Sequence, residues 1–269
     1  MSDDCLLFEV KDRVALLTLN RPEVRNAFNP ELLVNLDRAW NRVRDDEGIR
    51  VAVITGSGEA FSAGMDIGSM VPLLNGARKA GDEWDRAILT DQQLGYRAIL
   101  RNFDTRKPVV AAINGFAIAA GMELLMGCDL RVSARSASFA LTEAKLGLFP
   151  GGGSTVRLPN QIPYVRAMEL LLTGDRSSAQ DMLEYGFLNY VVNDEDVLDK
   201  AFEIAGRIAA NGPVAVRAIR QSVREAIGMS ELNALERERE LAAPVYRTED
   251  AREGPRAFTE KRTPEFRGR

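Results

Sequence analysis

The chain has 269 residues, 45% of them hydrophobic, with 35 Lys and Arg against 39 Asp and Glu for a net charge of -4. This describes an ordinary globular protein with enough length for one large core, and it offers no basic field to attract nucleic acid. The absence of histidine excludes Ser-His-Asp and Cys-His nucleophile systems and H-E-x-x-H zinc sites, leaving acid-base work to carboxylates, Lys, Tyr or Cys.

The opening MSDDCLLFEV has acids where a signal peptide carries bases, and no apolar run approaches the roughly 18 residues of a membrane span. A cytoplasmic protein with no membrane partner is expected. Cys5 and Cys128 are the only cysteines, and with Cys5 in a terminal segment expected to be disordered, neither a disulfide nor a metal site is expected.

In chain order, LLFEV and RVALLTLN (13–20) read as strands joined by the polar KDR turn, which makes an opening hairpin. Asn29 is a candidate N-cap with Pro30 at the first helical position, and Leu32, Leu33, Leu36, Trp40 and Val43 recur at helical spacing. RVAVITG (50–56) reads as a buried strand, and the order strand, helix, strand points to α/β crossovers. A glycine-rich loop region follows from Gly56 to about Gly81, then a long helical pattern around DRAILTDQQLGYRAILRNFD. KPVVAAINGF reads as strand and turn, AIAAGMELLMGCD (117–129) as helix, DLRVSA as strand and LGLFPGGGSTVRL as a second loop. Beyond about residue 194 only amphipathic helices are read: VLDKAFEIAGRIAA, PVAVRAIRQSVREAI, ELNALERERELAAPVY and EDAREGPRAF. The expected organisation is an α/β core over 1–194 and a helical oligomerisation region over 195–269.

Three stretches could carry chemistry. In AFSAGMDIGSM a tight glycine turn would leave the Met65 amide pointing into a cleft, although any turn uses Gly and Asp in this way. In NGFAIAAGMELL a helix starting near Ala119 to Gly121 would present free first-turn amides, Ala120 among them, with Glu123 inside an apolar run. Glu123 reads either as a helix-start acid or as a functional one, and the Ser or Thr of a capping box is missing because Ala120 occupies that position. FALTEAKLGLFPGGG adds Glu143, which read alone is an ordinary surface acid. GGGSTVRL lacks the lysine of a phosphate loop.

Taken together and in order, LNRPEVRNAFN (19–29), AFSAGMD (60–66), KPVVAAINGFAIAAGMELLMGCDLRVSA (107–134), FALTEAKLGLFPGGGSTVRL (139–158) and AFTEKR (257–262) resemble the enoyl-CoA hydratase/isomerase, or crotonase, family. The resemblance implies a spiral of ββα turns followed by an all-helical trimerisation region, assembled as a homotrimer or a dimer of trimers. It implies an acyl-CoA thioester as substrate and no separate cofactor, CoA being part of the substrate. By motif position, the amides of Met65 and Ala120 would hold the thioester oxygen, and Glu123 and Glu143 would share one water, as in the family's hydratases. Members that only isomerise a double bond, or only bind acyl-CoA, are the alternatives. Arg25, Ala27, Ala63, Gly64 and Asp66 fall in the CoA-proximal segments, and Phe258 and Lys261 would reach adenine and 3′-phosphate from a neighbouring subunit. Ala120 departs from the usual glycine and Met122 from a smaller residue, which bears on the acyl chain rather than the reaction type.

Overall fold

A computed structural model describes residues 5–269. The hairpin opens the chain as β1 (Leu6–Lys11) and β2 (Val14–Leu19), antiparallel, with Asp12 and Arg13 at φ 49° and 68° in the turn. Cys5 is not in a disordered segment: it is 5% exposed, packed in the core, and its sulfur accepts from Asn35 Nδ2 at 3.5 Å. α1 (Pro30–Asp45) starts as expected, with the Asn29 side chain accepting from the Leu32 amide and Pro30 at the first turn.

From here the chain repeats one unit. β3 (Val51–Gly56) joins the large sheet and β4 (Ala60–Ser62) a small one, followed by α2 (Ile67–Leu74), α3 (Glu83–Thr90) and α4 (Leu94–Ala98). β5 (Val109–Ile113) and β6 (Phe116–Ile118) do the same before α5 (Ala120–Leu125). β7 (Leu130–Ala134) and β8 (Ser138–Ala140) do so before α6 (Ser154–Gln161) and α7 (Tyr164–Thr173). β9 (Ser177–Ser178), α8 (Ala179–Glu184) and β10 (Tyr190–Val192) close the spiral. The large sheet runs β1-β2-β3-β5-β7-β10, parallel after the hairpin, and the small sheet β4-β6-β8-β9. β3 and β5 in the middle of the large sheet are buried along their whole length, as expected of parallel strands covered on both faces.

Further sequence expectations are corrected. The long helix around residues 85–104 is two helices, because Asp91 accepts from the Gln93 amide at 2.9 Å and pairs with Arg97 at 2.7 Å, turning the chain between them. The glycine-rich region after Gly56 contains β4 and α2, and the second loop already enters α6 at Ser154. The run starting at Ala117 is strand before it is helix, since Ala117 and Ile118 pair with Phe139 and Ala140.

α9 (Val197–Ala209) lays Ala201, Ile204 and Ala205 on the large sheet. α10 (Pro213–Ala226) and α11 (Glu231–Val245) pack on one another; α10 buries only Pro213 and Arg220, and α11 buries no residue. α12 (Asp250–Thr259) ends the helical part. The C-terminal tail folds back under α12, where the Asp250 carboxylate accepts from the Arg267 and Gly268 amides at 2.7 and 2.8 Å.

Candidate active site

The first wall is the strip after β4. Phe28 forms a parallel bridge with Met65: its amide donates to the Gly64 carbonyl at 2.8 Å, and its carbonyl accepts from the Asp66 amide at 3.0 Å. In such a bridge the flanked residue's own N–H faces away from the partner, and the Met65 amide has no acceptor among the described residues. Gly64 has φ +86°, and a Cβ built on it would lie 2.7 Å from the Ile118 carbonyl oxygen and 3.1 Å from the Ala120 nitrogen. Only glycine lets the two segments touch there.

The second wall is the β6–α5 junction. Ala120 opens α5, so its N–H has no partner within the helix, and no other acceptor is found for it among the described residues. Ala119 before it sits at φ 51°, ψ -123°, held by its amide donating to Ala140 O at 2.9 Å.

Glu123 lies within α5 and is only 4% exposed. Its Oε1 accepts from the Gly152 amide at 2.7 Å and from Ser154 Oγ at 2.8 Å. Burial pushes its carboxyl above the usual range, and the donors from Ser154 and Gly152 oppose that rise by favouring the anion. The triple glycine is therefore a seat for an acid: a Cβ on Gly152 would fall 2.1 Å from Glu123 Oε2.

Glu143 begins a 3-10 turn, Glu143–Leu146, separated from β8 by Leu141 and Thr142, and its carbonyl accepts from Leu148 N at 2.9 Å. Its carboxyl is pushed up to about 7, first by burial and further by the negative charge of Glu123. Its Oε2 is buried without a hydrogen-bond partner among the described residues. The charge of Glu123, twenty positions earlier in sequence, is thus felt at the Glu143 carboxyl. A carboxyl raised in this way keeps its proton to a higher pH than an ordinary glutamate.

The CoA-proximal candidates divide into two places. Arg25, Ala27, Ala63, Gly64 and Asp66 form one continuous strip, with the Ala63 amide donating to the Arg25 carbonyl at 2.9 Å and Arg25 held at φ 56°. Phe258 and Lys261 lie elsewhere, at the end of α12, where Phe258 is 87% exposed and Lys261 has φ 54°. Residues missing from the sequence reading are Ser154 and Gly152, which hold Glu123, and Asn26, Arg21 and Ser62, which brace the Met65 strip. A polar residue such as Asn26 inside RNAFN was the available signal, since a buried amide must find partners. Among the described residues no group of three or more His, Cys, Asp or Glu is placed to hold a metal ion, and no helix is long and apolar enough to cross a membrane.

The enoyl-CoA hydratase/isomerase family matches this chain over residues 9–269. The chain belongs to that family. Its relatives include enoyl-CoA hydratase EchA19 of Mycobacterium tuberculosis, 41% identical over 98% of this chain and 96% of that protein. (E)-Benzylidenesuccinyl-CoA hydratase of Thauera aromatica is 38% identical over 97% and 98% of the two chains. The crystal structure of an enoyl-CoA hydratase from Mycobacterium tuberculosis superposes with a TM-score of 0.89 at 36% identity, covering 99% of this chain and all of that one. The expected family, its crotonase fold and its standing as a family of enzymes acting on acyl-CoA thioesters are borne out.

Proposed function

We propose that this member of the enoyl-CoA hydratase/isomerase family adds water across the 2,3 double bond of an enoyl-CoA thioester. The observation that carries the reading is Glu143, its carboxyl raised by burial and by the charge of Glu123, in a fold that leaves the Met65 and Ala120 amides without acceptors among the described residues. As electrons of the double bond move toward the thioester oxygen, the Met65 and Ala120 amides meet the developing negative charge; losing one such donor typically costs about 3 kcal/mol. Glu123, held by Gly152 and Ser154, takes a proton from the water as the water oxygen bonds to Cβ. Glu143, kept protonated near neutrality, gives a proton to Cα, and the enolate collapses back to the thioester. Both groups act from one side, so the addition is syn. CoA enters as part of the substrate, and no resident cofactor takes part.

The strip Arg25, Ala27, Ala63, Gly64 and Asp66 binds the CoA portion in this reading. Phe258 and Lys261 meet adenine and the 3′-phosphate of a neighbouring subunit, where a lysine acts as a point charge. That arrangement needs a homotrimer or a dimer of trimers, and a cytoplasmic setting suits the substrate. Two relatives named as hydratases support the reaction, and their different names leave the acyl group open.

The test is a series of 2-enoyl-CoA chain lengths followed by loss of enoyl absorbance, with wild type, Glu123→Gln and Glu143→Gln. Wild type should consume the substrate, and each variant should lose about a hundredfold or more in kcat with little change in binding. Turnover of 3-enoyl substrates alone would favour an isomerase. Tight binding without turnover, indifferent to Glu143→Gln, would favour a binding protein.

A further inference from the structure

Along the strip around Met65, three backbone hydrogen bonds run to the segment 21–28, with the Gly64 carbonyl accepting from the Phe28 amide as one of them. The Ala63 amide donates to Arg25 O, the Gly64 amide to Ser62 Oγ at 3.1 Å and the Asp66 amide to Phe28 O, so of the amides of residues 63–66 that of Met65 has no acceptor among the described residues. The hub is Asn26, fully buried and at φ 55°. Its Nδ2 donates to Ser57 O at 2.9 Å and Ala60 O at 2.8 Å, its Oδ1 accepts from the Arg21 amide at 2.9 Å, and its carbonyl accepts from Ser62 Oγ at 2.8 Å. Ser62 Oγ therefore passes the position of Asn26 directly to Gly64. On the outer side the Arg21 guanidinium donates to Ala27 O at 2.5 Å and approaches Asp66 Oδ2 at 3.4 Å, while Asp66 caps α2 by accepting from Ser69 N at 3.2 Å.

From this network we infer that Asn26, Ser62 and Arg21 are positioning residues for the Met65 amide, setting its direction through Gly64 on one side and Asp66 on the other. The inference rests on the reading of that amide as a donor to the thioester oxygen. A buried polar hub with each group satisfied is stiff, and a donor that must meet charge developing on one oxygen gains from stiffness. None of the three has to touch the acyl-CoA for this role.

Ser62→Ala removes one hydroxyl and leaves the backbone free to fold; Arg21→Met and Arg21→Lys probe the other side, with lysine keeping charge but losing the fork. The readouts are steady-state kinetics on an enoyl-CoA and the carbonyl stretch of the bound thioester in isotope-edited infrared spectra, which reports donors on that oxygen. Ser62→Ala and Arg21→Met should lose about tenfold to a hundredfold in kcat with KM within about threefold, and the thioester band should move back toward its frequency in water. Arg21→Lys should recover part of both. Folded variants with wild-type kcat and an unmoved band would overturn the inference, as would loss of kcat with the band unmoved. If wild type hydrates no enoyl-CoA, the hydratase reading fails, yet the band of a bound thioester still reports whether these residues aim the amide.

Discussion

Ala119 holds φ 51° and ψ -123°, a region that suits glycine and costs a residue with a Cβ about 1–3 kcal/mol. The strain is imposed from both sides, by pairing of β6 with β8 and by the start of α5, and it aims the next amide, that of Ala120. Ala119→Gly should therefore raise stability by about 1 kcal/mol, seen as a higher midpoint in calorimetry; a lower midpoint would remove the argument. Glu143 shows the opposite trade. Its pKa rises from 4.5 to about 7 on folding, so between those values the folded state holds the extra proton and stability falls as pH rises, staying reduced above 7. Glu143→Gln should be more stable than wild type at pH 8 by about 1 kcal/mol after allowing for solvent screening, with the gap closing toward pH 4.5. In the proposed role as acid, the same proton predicts that wild-type kcat/KM declines as pH passes about 7, a limb that pH–rate profiles of Glu143→Gln should lack.

At the scale of elements, the loop before α6 and the segment between α2 and α3 do distinct work. Gly152→Ala puts a methyl where Glu123 Oε2 sits, so it should displace the acid and cost about a hundredfold in kcat while leaving the sheets intact by circular dichroism. Arg78 clasps α2 to α3: it pairs with Asp85 and donates to Ser69 O at 3.1 Å, and Asp85 also accepts from the Gly81 amide at 2.9 Å. Asp85→Asn should cost about 1 kcal/mol overall and speed hydrogen exchange chiefly in residues 75–85. Uniform exchange across the chain would sink that localisation. The clasp was not legible in sequence, because Arg78 and Asp85 look like ordinary surface charges until the turn between them brings them together.

For the whole molecule, the α10–α11 hairpin leaves Ile219, Val223, Ile227, Leu232 and Leu235 exposed, with Leu232 at 69%. Scattered apolar residues are ordinary on a surface, but a run along one helical pair is the kind that association covers. In the proposed assembly the mass in solution is a multiple of three times 29.6 kDa, and Leu232→Glu should lower it in light scattering. A wild-type mass of one chain would refute the assembly and with it the reach of Phe258 and Lys261 to a neighbour's CoA.

The ordered motifs were enough to name the family and its fold from the sequence, because a glycine that must admit a neighbouring backbone, and strands buried on both faces, restrict residue choice locally. The acids were visible too, as Glu123 within an apolar run and Glu143 before a glycine-rich turn. Tertiary structure alone decided that the charge of Glu123 reaches Glu143, that Gly152 seats the first, and that a buried Asn26 braces the strip carrying Met65. Those facts depend on segments distant in sequence meeting in space, and charge, burial and hydrogen-bond partners are properties of that meeting. Cys5 and the divided helix near Asp91 teach the same point in reverse: local composition suggested disorder and continuity, and packing and one side-chain turn overrode both.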